Sequence, residues 1–118
     1  MAEKLLCIDD EQRILDLLIE ELSEQGYTVH GAASGHEGFA AILRLNPDLV
    51  ICDINMPGML GTDAAEIILK DSPSIRIAIF SANVQDTMQV RANSIGTTFV
   101  AKPVTEKSIA VVLDYFAR

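Results

Sequence analysis

The chain has 118 residues, 49% of them apolar and 22% charged, and carries a formal charge of −8. One domain of this size buries roughly two thirds of its unfolded surface, so the composition fits a globular fold and excludes a disordered chain. The acidic balance, with no basic stripe, excludes direct nucleic-acid binding and disfavours anionic membranes, and no apolar stretch approaches the roughly 20 residues of a membrane span.

Five short apolar runs alternate with amphipathic stretches. Lys4–Ile8 predicts the first strand and runs into Asp9 and Asp10. After Asp-Asp-Glu, Ile14, Leu17, Leu18 and Leu22 recur at helical spacing until Gly26 stops the helix. Thr28–Ala32 reads as strand 2, which leads to nothing obviously chemical. Ser34 caps a second helix carrying Phe39, Ile42 and Leu43, ending at Asn46-Pro47. Leu49–Cys52 is strand 3 and stops at Asp53. Thr62–Lys70 carries Ala64, Ala65, Ile67 and Ile68, and Ser72-Pro73 closes that helix. Ile77–Phe80 is strand 4 and stops at Ser81. Val84–Ile95 is the most polar helix, with Met88, Val90 and Ala92, and Gly96 ends it. Phe99–Ala101 is strand 5, followed by Lys102 and Pro103. Glu106–Phe116 carries Ile109, Val112, Leu113 and Phe116 as a fifth helix. Cys7 and Cys52 lie inside apolar runs and read as buried, reduced thiols, which points to a reducing cytoplasm. The opening residues lack the long apolar segment of a secretion signal.

A βα unit repeated five times implies an α/β fold, a parallel sheet with helices on both faces joined by right-handed crossovers. Strands buried on both faces should be apolar throughout. The expected architecture is a flavodoxin-like (βα)5 doubly wound sheet in the order 2-1-3-4-5, whose ligands bind beyond the carboxyl ends of the strands where the order reverses. That switch point lies between strands 1 and 3, which end in Asp9-Asp10 and Asp53.

Three carboxylates at one crevice mouth repel each other; a pair about 4 Å apart costs roughly 4 kcal/mol at an effective dielectric of 20. A proton or a cation must settle them. Oxygen-only ligands favour Mg²⁺, or Mn²⁺, over zinc. Taken alone, Asp9-Asp10-Glu11 also fits a helix N-terminus enriched in acids, Asp53 a turn-initiating residue, and Lys102 a solvated lysine. Their joint placement at the ends of strands 1, 3 and 5, with Ser81 ending strand 4, points to a metal-assisted phosphoryl site.

These residues resemble the receiver domain of two-component response regulators, chemotaxis regulators included, over essentially the whole chain, 1–118. The motifs are Asp9-Asp10, Asp53 in Asp-Ile-Asn-Met-Pro-Gly, Ser81-Ala82, and Phe99-Val-Ala-Lys102-Pro103. The resemblance implies that Asp53 is the phosphoacceptor, attacking a phosphohistidine of a sensor histidine kinase or histidine phosphotransfer protein. It implies that Asp10 binds Mg²⁺ directly and Asp9 mainly through water, with Asp53 and the backbone carbonyl of Asn55 completing the protein's share. Lys102 would pair with Asp53 and then with the phosphoryl group, Ser81 would hydrogen-bond a phosphoryl oxygen, and Phe99 would turn inward with it as the switch. Asn55 and Asn83 stand where water access to the phosphoryl group is tuned. The domain would assist its own phosphorylation and dephosphorylation without being an enzyme on an external substrate. Its output would be the surface of helix 4, strand 5 and helix 5, taken up by a downstream protein or output domain; a phosphorylation-dependent homodimer through that face is compatible with it.

The chain departs from the commonest family pattern at Ser81, where threonine is frequent, at Phe99, where tyrosine is frequent, and at Leu60, where an acid is common. Other readings are an aspartyl-phosphate phosphatase, a flavin or nucleotide module on the same fold, and a receiver-like scaffold that acts without phosphorylation. Asn55 stands where the phosphatase would need an acid, and Asp-Asp-Glu replaces the phosphate loop that a nucleotide module would need. Helix 5 ends near Phe116, which fits either a stand-alone regulator or one domain of a longer regulator or hybrid kinase.

Overall fold

The computed structural model describes residues 3–53, 55, 56, 59–81, 86–102 and 104–117, with side chains described for all of these except 55, 56, 59–62, 81 and 86–89. Five parallel strands form one sheet: β1 (Lys4–Ile8), β2 (Thr28–Ala32), β3 (Leu49–Asp53), β4 (Arg76–Ser81) and β5 (Thr98–Ala101), in the order β2-β1-β3-β4-β5. Between them run α1 (Gln12–Glu24), α2 (Gly35–Leu45), α3 (Gly61–Asp71) and α4 (Asp86–Ser94), and α5 (Glu106–Phe116) follows β5. A two-residue antiparallel ribbon, Asn55–Met56 with Met59–Leu60, lies between β3 and α3. The predicted sheet order is the observed one.

Period-2 alternation splits the apolar residues between two cores. Leu6, Ile8, Val50, Cys52, Ile77 and Ile79 join Ala41, Ala64, Ala65, Ile68 and Ala92 on the side of α2, α3 and α4. Leu5, Cys7, Leu49, Ile51, Ala78 and Phe80 join residues of α1 and α5, including Leu18, Leu22, Ile109 and Val112, on the other. Cys7 and Cys52 therefore lie in different cores as free buried thiols. Burial pushes both thiols up, Cys52 to about 12, so neither ionises at neutral pH. β2 is an edge strand and is not apolar on both faces: only Ala32 of its five residues is buried.

Helix boundaries follow local chemistry. α1 ends at Glu24, and two residues on the chain turns away at Gly26, whose φ of +97° is costly for any residue with a Cβ. Ser34 Oγ accepts the Glu37 N–H at 3.2 Å while the Glu37 carboxylate accepts the Ala33 N–H at 2.7 Å, fixing the start of α2. Thr105 and Ser108 satisfy each other reciprocally at the start of α5. Four apolar residues assigned to helix stripes are exposed instead: Leu17 at 37%, Leu43 at 88%, Ile67 at 47% and Val90 at 66%. The buried stripe of α1 is Leu15, Leu18 and Leu22, and that of α2 runs through Gly35, Gly38 and Ala41. Small residues take α2 close to the sheet: a Cβ on Gly38 would lie 2.6 Å from Ile8 Cδ1. No helix among the described residues is long and apolar enough to cross a membrane.

Candidate functional site

Sheet register builds the site. Ile8 pairs with Cys52, so the next residues, Asp9 and Asp53, emerge side by side at the carboxyl edge. Asp53 pairs with Phe80 in turn, and Ser81 with Ala101, which carries the edge across to Lys102. The capping of α5 at Thr105 anchors the chain three residues beyond that lysine.

Asp9 is 1% exposed and fully engaged. Its backbone N–H donates to the Ala32 carbonyl at 3.1 Å, one carboxylate oxygen accepts the Glu11 N–H at 2.9 Å, and the other accepts Lys102 Nζ at 3.0 Å. Asp53 is 6% exposed and faces Lys102 Nζ at 3.4 Å. Asp10 is exposed at the mouth. One carboxylate oxygen from each of Asp9, Asp10 and Asp53 can lie within 4.8 Å of the other two. Such a set of hard oxygen donors, with no thiolate or imidazole among them, suits Mg²⁺ or Mn²⁺.

Electrostatics make Asp53 unusual. Burial raises its pKa, the charge of Asp9 raises it further, and Lys102 only partly offsets them, leaving it at about 6 rather than 3.8. Burial alone would lower the pKa of Lys102, but its hydrogen bond to Asp9 and the charges of Asp53 and Asp9 outweigh this and raise it. The ammonium therefore stays charged while Asp53 is held poorly solvated near the edge of its titration. A carboxylate in that state gains when its charge is shared with an electrophile or a cation.

Asp9, Asp10, Asp53 and Lys102 are thus brought together. Lys102 sits closer to Asp9 than to Asp53, a preference for which the sequence carries no signal. Phe99 is half-buried against the core on the α2–α4 side. Ser81 ends β4 and Asn55 opens the short ribbon, both without a described side chain; Asn83 lies outside the described residues, as do Val84 and Gln85 at the expected start of the fourth helix. Two features went unread in the sequence. Glu11, taken as part of an acidic helix start, places a carboxylate 4.0 Å from Lys102 Nζ. Arg91 on α4 bridges Asp63 and Glu66 on α3, a link between residues 25 and 28 apart that no local pattern announces.

Comparison with known proteins agrees with this geometry. Residues 5–114 match the response regulator receiver domain family. The chain is 33% identical over 116 residues to the chemotaxis protein CheY of Thermotoga maritima, covering 97% of each. It is 33% identical over 104 residues to the sporulation initiation phosphotransferase F of Bacillus subtilis, covering 87% of this chain and 84% of that one. The solved structure of the response regulator TrrA of Thermotoga maritima, in complex with Mg²⁺ and beryllofluoride, matches with a TM-score of 0.85 at 30% identity, covering 97% and 98%. The chain belongs to the response regulator receiver domain family of two-component signal transduction.

Proposed function

We propose that this receiver domain is a phosphoacceptor switch in which Asp53 takes a phosphoryl group from the phosphohistidine of a sensor histidine kinase or a histidine phosphotransfer protein. A carboxylate oxygen of Asp53 forms the new P–O bond, the P–N bond of the donor breaks, and the imidazole leaves with its electron pair. What carries this reading is the convergence of Asp9, Asp10 and Asp53 on one point with Lys102 between two of them. Asp9, Asp10, Asp53 and the backbone carbonyl of Asn55 would hold Mg²⁺ or Mn²⁺. The ion supplies charge neutralisation on the transferring oxygens.

The residues of the chain do the rest. Lys102, a compact charge on a long stem, follows the phosphoryl group once it arrives. Phosphorylation adds about −1.5 to −2 charges to this crevice, and Ser81 answers with a hydroxyl hydrogen bond. Movement of Ser81 frees space into which Phe99 turns, altering the face of α4, β5 and α5 that a downstream protein, an output domain or a second phosphorylated copy engages. Asn55 and Asn83, two short amides, leave the site open to water, so the phospho-state lasts minutes rather than days, by analogy with phosphoryl transfer generally; slower phosphate release from Asn83→Arg would support this, and an unchanged rate would contradict it. The domain assists its own phosphorylation and hydrolysis and works in the cytoplasm.

Beryllofluoride with Mg²⁺ provides the test, because it mimics a bound phosphoryl group. Backbone amide signals of Ala101, Lys102 and residues 86–94 should shift saturably in the wild type and stay still in Asp53→Asn. Signals that do not respond in the wild type would remove the reading in favour of a scaffold that acts without phosphorylation.

A further inference from the structure

Lys102 stands where the three carboxylates call for a cation. Its Nζ has two inner partners and one outer partner: Asp9 at 3.0 Å, Asp53 at 3.4 Å and Glu11 at 4.0 Å. The inner side chains are 2% and 7% exposed, whereas that of Glu11 is 62% exposed. Glu11 is also placed for a second task. It is the N-cap residue of α1, yet its carboxylate makes no capping bond. Its backbone N–H is fixed on Asp9, so its position relative to the triad is set while its side chain is left to reach toward the lysine.

We propose that Lys102 is the resident cation of the metal-free site, and that Glu11 is a positioning residue that receives it when a divalent ion binds. The inference rests on the reading of Asp9, Asp10 and Asp53 as a magnesium site. A dication held by these carboxylates shares Asp9 and Asp53 with the ammonium and repels it at close range. Lys102 then gives way at Asp9 and Asp53, the two carboxylates it shares with the ion. Its flexible stem needs to swing outward by only about 1 Å to reach ordinary charge-assisted hydrogen-bond distance from Glu11. Glu11 then neutralises the displaced ammonium, keeps it beside the crevice, and leaves it ready to return when a phosphoryl group adds fresh negative charge. Lys102 therefore opposes divalent binding, and Glu11 relieves part of that opposition.

A double-mutant cycle on metal-free protein tests this, with Mg²⁺ titrated alone and affinity read from backbone amide shifts at physiological salt. Lys102→Met should tighten Mg²⁺ binding about tenfold, the scale of losing one close competing charge. Glu11→Gln should weaken binding about fivefold when Lys102 is present and less than about twofold when it is Met, since an exposed carboxylate beyond direct contact is screened. Equal effects of Glu11→Gln in both backgrounds would overturn the role of Glu11, and unchanged affinity in Lys102→Met would overturn the competition. Should Lys102→Met not fold, the side-chain carboxyl carbon signal of Glu11 in the wild type decides: it should move as Mg²⁺ saturates the site, and its standing still would overturn the proposal. A wild type that does not bind Mg²⁺ at all overturns the magnesium site itself, and this inference with it.

Discussion

The two edges of the sheet use the same residue types to opposite ends. At the amino edge, Lys4 gives its N–H to the Asp48 carboxylate at 3.0 Å and its ammonium to the Leu45 carbonyl at 3.1 Å. Arg76 donates to the Tyr115 and Phe116 carbonyls at 3.1 and 3.0 Å, closing the C-terminal end of α5. Charges there are spent on backbone groups at the ends of strands and helices. At the carboxyl edge, the carboxylates of Asp9, Asp10 and Asp53 face each other, and one ammonium, that of Lys102, pairs with Asp9 and Asp53. The first edge is built to hold; the second holds charge in a poorly compensated state, which keeps the Asp53 carboxyl above its ordinary range. Damage to the amino edge should therefore lower stability and spare phosphorylation, and damage to the carboxyl edge should do the reverse.

The largest expected effect lies in the pH dependence of Asp53. Its folded pKa, about 6, is above the ordinary 3.8, so between those values the folded chain binds more protons than the unfolded one. Stability from this group is fully present below about pH 4 and is lost as pH rises through 6, a loss of about 3 kcal/mol in all. Urea unfolding of metal-free protein should show Asp53→Asn gaining on the wild type by up to that amount between pH 4 and pH 7.5. A constant difference across that range would show that burial and the charge of Asp9 do not hold Asp53 above its ordinary value.

Next comes the amino edge. Arg76→Ala removes two bonds from a charged donor to helix-end carbonyls and should cost about 2 kcal/mol by denaturant unfolding. Its rate of phosphorylation by a small-molecule donor should stay within about twofold of wild type, since the change is confined to the structural edge. A large fall in that rate would break the division between the edges. Gly38→Ala sits between the two: its new Cβ meets Ile8, the residue before Asp9, and should cost about 1–2 kcal/mol in thermal unfolding by overpacking. The smallest effect belongs to Leu43→Ser, at a side chain 88% exposed, which should change stability by less than about 0.5 kcal/mol.

The contrast also explains what could be read from the sequence. Strand ends were legible because parallel strands buried on both faces are unbroken apolar runs, and a run that stops at Asp9 or Asp53 marks the edge by itself. Sheet order then put the acids together. Helix faces were less legible. In α1 and α2, Leu17 and Leu43 match the helical period as well as the buried residues do, but the buried positions include Leu15 in α1 and Gly38 and Ala41 in α2, where at Gly38 the helix lies too close to Ile8 for a larger side chain. Ion pairs over long sequence separations, Arg91 with Asp63 and Glu66 or Lys102 with Glu11, leave no trace in local patterning. The preference of Lys102 for Asp9 over Asp53 likewise comes from three-dimensional placement alone.

The central claim is that Asp53 accepts the phosphoryl group, and peptide mapping tests it most directly. The protein should be incubated with acetyl phosphate and Mg²⁺, then reduced with borohydride, which converts an acyl phosphate on aspartate to homoserine. Intact mass before reduction should show one addition of about 80 Da, as a single phosphorylation gives, and the reduced peptide should carry homoserine at position 53 alone. No added mass, or modification at Asp9 or Asp10 with Asp53 untouched, would contradict the account.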